Sequence, residues 1–278
     1  MYDFYLGTKE DIKNDEIKYL ISVKRMMPRW VNSLPDTEFI ALAKLLDKKG
    51  AEKGNDEQPV FVETGAGASS LAFAFYALKY NGIAFSWDLN SEKGSIIRTV
   101  CTETMGNYFG KHIDNHWKLI AFNSLSPYLG LPILNEMVDH VDLFFHDSEH
   151  IWTTIKQEIE TIIPLLLDGS IVALDDANLT FMHTNLGYIN IFRKKLGLKQ
   201  AQWPDDNNCE PFYSETKTLL EKYFNIVESL NDVYKEGYKN DPYYEYYNAE
   251  FSFNKDAGAV RSEELDHRFD SWQIAKSK

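Results

Sequence analysis

Residues 59–70 read PVFVETGAGASS. Val60 to Glu63 is a short apolar run of the kind that forms a buried strand, and Ser69 opens a longer run, SSLAFAFYALKY, that reads as a helix through Tyr80. Between them, glycine at 65 and 67 lets the backbone turn tightly and lets a ligand approach where a Cβ would otherwise stand. Strand, glycine turn and helix make one βα unit, and the same texture recurs downstream. Strands are expected at Val60–Glu63, Ala84–Asp88, Trp117–Phe122, Val141–His146 and Ser170–Asp175, with helices at Ser69–Tyr80, Ser91–Phe109 and Trp152–Leu167. Asp168-Gly169 is expected as a tight turn that delivers the last of these helices into the fifth strand. This alternation predicts an α/β fold, a mostly parallel sheet covered by helices on both faces.

Upstream of Pro59 the pattern is helix and loop. Ile17, Leu20, Ile21 and Val23–Met26 form one irregular apolar stripe, and Pro35-Asp36-Thr37 starts a second in which Phe39, Ile40, Leu42, Ala43, Leu45 and Leu46 recur at helical spacing. Residues 48–58, KKGAEKGNDEQ, read as a solvated charged loop. Downstream of Asp176, helices are expected near Asn185–Leu196 and Ser214–Phe224, and strands at Asn225–Leu230 and Ala249–Asn254. The expected organisation is an N-terminal helical cap or lid over residues 1–58, a central domain over 59–254 with seven strands in all, and a charged tail over 255–278.

The 278 residues carry 29 basic and 42 acidic side chains, a net charge of −13, with 44% apolar and 14% aromatic content. Such a chain is not disordered by composition, and its negative charge disfavours nucleic acid and anionic membranes as partners. The longest apolar runs fall short of the ~20 residues that cross a bilayer, and the N-terminus lacks the basic start and apolar run of a secretory signal. Cys101 and Cys209 are too few and too far apart for a disulfide scaffold or zinc cluster, which fits a reducing, cytoplasmic setting.

Candidate chemistry gathers at the carboxyl ends of the expected strands, where open α/β sheets bind ligands. Asp88 ends the second strand in AFSWDLN, where a carboxylate can accept hydrogen bonds from both hydroxyls of a ribose. His146-Asp147-Ser148-Glu149-His150 ends the fourth, and Asp175-Asp176-Ala177-Asn178 the fifth. Carboxylates at 147, 175 and 176 would repel one another unless a cation lay between them, and an all-oxygen set favours a hard divalent ion, Mg²⁺ first. His150 follows Asp147 by three residues, and imidazole has a pKa suited to taking a proton from an acidified hydroxyl. The plainer alternative is structural: Asp147 as a helix cap, Asp175-Asp176 as a polar strand end, and His150 as a satisfied histidine.

The order ETGAGASS, WDLN, HDSEH and DGSIVALDDAN resembles the class I S-adenosylmethionine-dependent methyltransferases, with their Rossmann-like sandwich. Within that class it is most similar to the metal-dependent small-molecule O-methyltransferases of the catechol and macrolide-sugar types. The resemblance spans about residues 59–180. It implies that Glu63, Gly65, Gly67 and Ser69 lie at the methionine part of the cofactor, with Asp88 at the ribose, Asn123 and Ser124 near the adenine, and Asp147 also at the cofactor. It further implies a metal held by Asp147, Asp175 and Asp176, and His150 as general base. The implied reaction is methyl transfer from S-adenosyl-L-methionine to the hydroxyl of a small molecule, a sugar or related natural-product or surface-glycan precursor, catalysed by His150 and Asp147 with Mg²⁺. A serine stands where the last glycine of the turn would be, and Glu149 adds a carboxylate without an assigned part.

Specificity would come from outside the five-strand core. Arg25, Met26, Met27, Arg29 and Trp30 are candidates for a lid, and His183–Tyr188, Trp203–Tyr213 and Tyr234–Tyr247 for aromatic walls, although the same aromatics suit a core or a homo-oligomer interface. Competing functions are a metal-independent methyltransferase, a nucleoside-binding protein without chemistry, and a nicotinamide-dependent dehydrogenase. The last is disfavoured because Asp175-Asp176 has no part in it and no Tyr-x-x-x-Lys pair follows.

Overall fold

The computed structural model describes residues 13–28, 30–32, 34, 36–54, 57–149, 152–175, 194, 197, 212–229 and 273–276. Two helices, α1 (Glu16–Met26) and α2 (Asp36–Lys53), precede the first strand, β1 (Val60–Thr64). Then come α3 (Ser69–Lys79), β2 (Ile83–Trp87), α4 (Ser91–Cys101, prolonged by a π turn over Thr102–Gly106), β3 (Trp117–Ile120), the short α5 (Leu134–Met137) and β4 (Val141–His146). The chain continues through α6 (Trp152–Ile162), β5 (Leu166–Leu174), α7 (Phe212–Tyr223), β6 (Ile226–Ser229) and β7 (Gln273–Lys276).

The sheet order is β3-β2-β1-β4-β5-β7-β6. Its first five strands are parallel, as the βα alternation requires, and β7 enters antiparallel to both β5 and β6. The chain reverses direction across the sheet between β1 and β4, each having run to its other neighbour by a helical crossover. That switch opens a crevice at the carboxyl edge. Strand alternation divides the core: Phe61 and Phe145 face a layer built with α1 to α4, while Val60, Val62 and Phe144 face a second layer with α6 and α7. Helix α3 is buried on all sides, which explains why its sequence is apolar all round rather than striped. It lies between the sheet and the N-terminal helices, whose Leu20, Ile21, Phe39 and Ile40 share one buried cluster with Phe61 and Phe73.

Three expectations need correction. Helix α2 continues through Lys53 into the stretch expected as a charged loop, because Lys49 and Lys53 have partners: Lys49 Nζ donates to the Gly169 carbonyl at 2.8 Å, and Lys53 pairs with Asp142 at 2.9 Å. The helix expected over 152–167 ends at Ile162, with a 3-10 turn at Ile163–Leu165 where Pro164 removes a donor. Leu166 then already pairs with Val141, and Asp168-Gly169 is not a separate turn. It is a bulge within β5, between the Val141–Leu166 and Leu143–Ile171 pairings, with Gly169 at φ +83°.

Strand β6 coincides with the expected strand near 225–230, whereas β7 lies in the stretch expected as a charged tail. The expected strand at 249–254 and most of the helix near 185–196 fall outside the described residues, as do the aromatic segments 183–188 and 234–247. Among the described residues no helix is long and apolar enough to cross a membrane.

Candidate active site

A cavity of about 550 Å³ opens at the carboxyl edge of the sheet, and every strand from β1 to β4 contributes to it. Gly65 follows β1; Trp87, Asp88 and Leu89 end β2, with Lys93 from α4; Phe122, Asn123, Ser124 and Leu125 follow β3; Asp147, Ser148 and Glu149 follow β4, with Thr154 from α6. Parallel strands bring these sequence-distant segments side by side because their carboxyl ends share one edge. The structure thus brings Gly65, Asp88, Asn123, Ser124 and Asp147 together, as the sequence implied.

Other expected residues stand elsewhere. Glu63 is fully buried beneath the turn and does not line the cavity. Its Oε1 accepts from the Ser70 hydroxyl and from Ser86 Oγ at 2.5 Å, and Ser86 accepts in turn from Trp117 Nε1 at 2.8 Å. Its Oε2 has no partner among the described residues. Burial pushes the Glu63 carboxyl up to about 7; the surrounding serine hydroxyls pull it back, and the charge of Asp147 adds to the rise. Ser69 is also buried and outside the lining.

The glycines serve the protein as much as a ligand. Gly65 has φ +88°, and a Cβ there would stand 1.8 Å from the Asp147 carbonyl oxygen, so the residue is required by the close approach of the β1 and β4 loops. Gly67 faces the N-terminal segment: its Cβ would stand 3.1 Å from the Val31 carbonyl oxygen, to which Ala68 N donates at 3.0 Å. Of the expected lid, Trp30 and Met26 are about half exposed, Met27 is buried, and Arg25 is held with Lys24 on Asp36. Arg29 lies outside the described residues.

Asp88 is already engaged. Its Oδ1 accepts from Asn90 N at 2.7 Å, and its Oδ2 pairs with Lys93 Nζ at 3.0 Å. Glu149, whose part the sequence left unassigned, accepts from the Thr154 hydroxyl at 3.2 Å across the start of α6. Asp175 N donates to the His146 carbonyl at 2.9 Å, and the register pairs His146 with Leu174, so Asp147 and Asp175 follow paired residues on adjacent strands. Asp176 and His150 lie outside the described residues. Among the described ones, no three acidic, histidine or cysteine side chains stand close enough to hold a metal ion.

Sequence reading missed Lys93 and Glu158. Lys93 carried no signal beyond its place in the first turn of α4. Glu158 did carry one, since it interrupts the apolar stripe Ile155, Ile159 and Ile162 on a helix otherwise polar on its outer face. An acid on a buried stripe needs partners, and Glu158 has four, taken up below.

Residues 62–177 match the family model described as a methyltransferase domain. A comparison with the curated proteins gives no match. Among solved structures, the chain is similar to an O-methyltransferase from Bacillus cereus solved with SAH, at 13% identity over 80% of this chain and 87% of that one, TM-score 0.46. It is similar to an O-methyltransferase of tomaymycin synthesis from Streptomyces achromogenes solved with SAM, at 13% identity over 82% and 91%, TM-score 0.46. A third is a putative caffeoyl-CoA O-methyltransferase from Staphylococcus aureus, at 17% identity over 78% and 94%, TM-score 0.47. The glycine turn after β1, the acidic end of β2 and the match to a methyltransferase domain over residues 62–177 all fall on the same β1-to-β5 segment of the chain.

Proposed function

We propose that this chain transfers the methyl group of S-adenosylmethionine to a hydroxyl of a small molecule, a sugar or a related natural-product or glycan precursor. The observation that carries the reading is the convergence of Gly65, Asp88, Asn123, Ser124 and Asp147 on one cavity. Asp88 stands where a ribose diol would compete with, or share, the Lys93 ammonium, and the exposed side chains of Leu89 and Phe122 offer apolar surface to an adenine. The acidic lining, with Asp147 and Glu149 beside Asp88, suits a cationic sulfonium donor.

The substrate oxygen attacks the sulfonium methyl in line. The new O–C bond forms as the C–S bond breaks, the sulfur leaves as a neutral thioether, and the hydroxyl proton passes to the imidazole of His150. Because the donor is already activated, the chain's main contributions are alignment and exclusion of water. Asp147 and Asp175, neighbours across β4 and β5, would hold Mg²⁺ with Asp176, an oxygen donor set that fits a hard cation. Bound there, the ion would lower the pKa of a coordinated hydroxyl.

Titration calorimetry with S-adenosylhomocysteine, followed by transfer of labelled methyl from the donor to a panel of glycosides, catechols and simple alcohols, tests the reading. Binding in the micromolar range and label on an alcohol or sugar support it, and absence of binding refutes it. Turnover that survives a chelator would remove the metal and leave His150 as the base alone.

A further inference from the structure

We propose that Glu158, on α6, is a positioning residue that holds the cofactor crevice in its binding shape by drawing together the loops after β1, β3 and β4. The proposal rests on the cofactor reading given above and extends it to a residue outside the cavity lining.

Glu158 is fully buried, and each carboxylate oxygen accepts two hydrogen bonds. Oε2 accepts from Thr64 Oγ1 at 2.7 Å and from His146 Nδ1 at 2.6 Å; Oε1 accepts from Ser148 Oγ at 3.0 Å and from the Ser124 hydroxyl. An ionised carboxylate has about four acceptor sites, so Glu158 is saturated and leaves none for a ligand. Burial raises its carboxyl, but the facing His146 and the hydroxyl donors outweigh burial and hold it below the usual range. As the carboxylate accepts only, the His146 ring must present Nδ1–H.

The donors are distributed in a way that a merely stabilising network would not require. Thr64 immediately precedes Gly65, and His146 immediately precedes Asp147; Ser124 and Ser148 line the cavity themselves. One side chain thus fixes the position of every loop that meets the ligand on three of the four contributing strands. Thr154, one turn earlier on the same helix, lines the cavity too, so α6 carries both the wall and the anchor. Loops bearing binding groups are the segments most prone to local motion, and a shared buried acceptor makes their positions interdependent.

The test compares S-adenosylhomocysteine affinity, by calorimetry, across Glu158→Ala, Glu158→Gln, Thr64→Val, Ser148→Ala and the control Ile159→Val, a buried apolar change next to Glu158. Amide exchange of the ligand-free proteins is followed alongside. Glu158→Ala is expected to weaken binding about tenfold to a hundredfold, by analogy with the loss when the hydrogen-bond partners that orient metal-ligating residues are removed. Faster exchange should be confined to residues 64–67, 122–125 and 146–149. Glu158→Gln should fall between, because its amide donor faces groups that also donate. Thr64→Val and Ser148→Ala should each weaken binding a few-fold, with less than additive effects when combined with Glu158→Ala. Ile159→Val should lower the melting temperature and leave the affinity unchanged. A folded Glu158→Ala protein with wild-type affinity overturns the proposal. If that variant does not fold, unchanged affinity in Thr64→Val and Ser148→Ala overturns it equally. Failure of the wild-type chain to bind S-adenosylhomocysteine refutes instead the cofactor reading, and the proposal with it.

Discussion

The amide of Ala68 donates to the carbonyl of Val31 at 3.0 Å, so the segment between the two N-terminal helices is bonded directly to the glycine turn of the candidate cofactor site. Gly67 sits against the same carbonyl. The N-terminal helices are therefore coupled to the site through backbone as well as through the core they share with α3. Asp36, at the start of α2, clasps the other side of this segment by accepting from Lys24 at 2.7 Å and from Arg25 at 2.6 Å.

That clasp is open to test. Burial raises the Asp36 carboxyl, but Lys24 and Arg25 outweigh it and hold it below the usual range. Asp36→Asn leaves a buried ammonium without its counter-charge, a change that typically costs about 3–5 kcal/mol. Urea unfolding should show the loss near neutral pH. Because the folded-state pKa is depressed, the clasp's contribution is present above the ordinary carboxylate pKa and disappears as pH falls through the folded value. The difference between wild type and variant should therefore shrink in acid.

Gly65→Ala places a Cβ at φ +88° and against the Asp147 carbonyl. Left-handed strain alone costs roughly 1–2 kcal/mol, and the backbone clash adds to it. The variant should lose at least about 2 kcal/mol of stability and most of its affinity for S-adenosylhomocysteine. Gly67→Ala has only a 3.1 Å approach to Val31 to relieve and should be much the milder change.

Glu63 gives a pH dependence of the opposite sign to Asp36. Its carboxyl is raised to about 7 in the fold, chiefly by burial, so the penalty grows as pH rises above the ordinary carboxylate value and is complete above about 7. Glu63→Gln keeps the shape and an acceptor for Ser70 and Ser86 without the buried charge. In the ligand-free protein, its unfolding free energy relative to wild type should improve between pH 5 and pH 8, by on the order of 3 kcal/mol at the upper end. A constant difference across that range would refute the account.

Asp88 and Lys93 separate two ways of holding a ribose. Asp88→Ala should weaken S-adenosylhomocysteine binding about tenfold or more, the loss expected when a charged acceptor is removed. Lys93→Met discriminates further: if the ammonium competes with the ribose for Asp88 Oδ2, affinity rises, and if it donates to a ribose oxygen, affinity falls. Titration with 2′-deoxyadenosine beside adenosine shows which hydroxyl is involved.

Much of the site was readable because parallel strands turn a one-dimensional order into a shared edge. Once Val60–Glu63, Ala84–Asp88 and Val141–His146 are recognised as buried strands, Gly65, Asp88 and Asp147 must meet. The glycine turn has a second use that its sequence does not show: a Cβ on Gly65 would meet the Asp147 carbonyl, and one on Gly67 would approach that of Val31. Asp142, a charge inside the buried strand β4, accepts from Val60 N at 2.8 Å and pairs with Lys53. Partners 82 and 89 positions distant leave no local trace.

By itself the sequence determined the strand–glycine turn–helix opening, the five parallel strands and the acidic carboxyl edge, because hydrophobic period and turn chemistry are local properties of the chain. Only the tertiary structure decided that β7 comes from residues 273–276, that Asp88 shares its carboxylate with Lys93, and that Glu158 joins three loops. These depend on which distant groups are brought within hydrogen-bonding distance, and a buried charge takes whichever donors the packing offers.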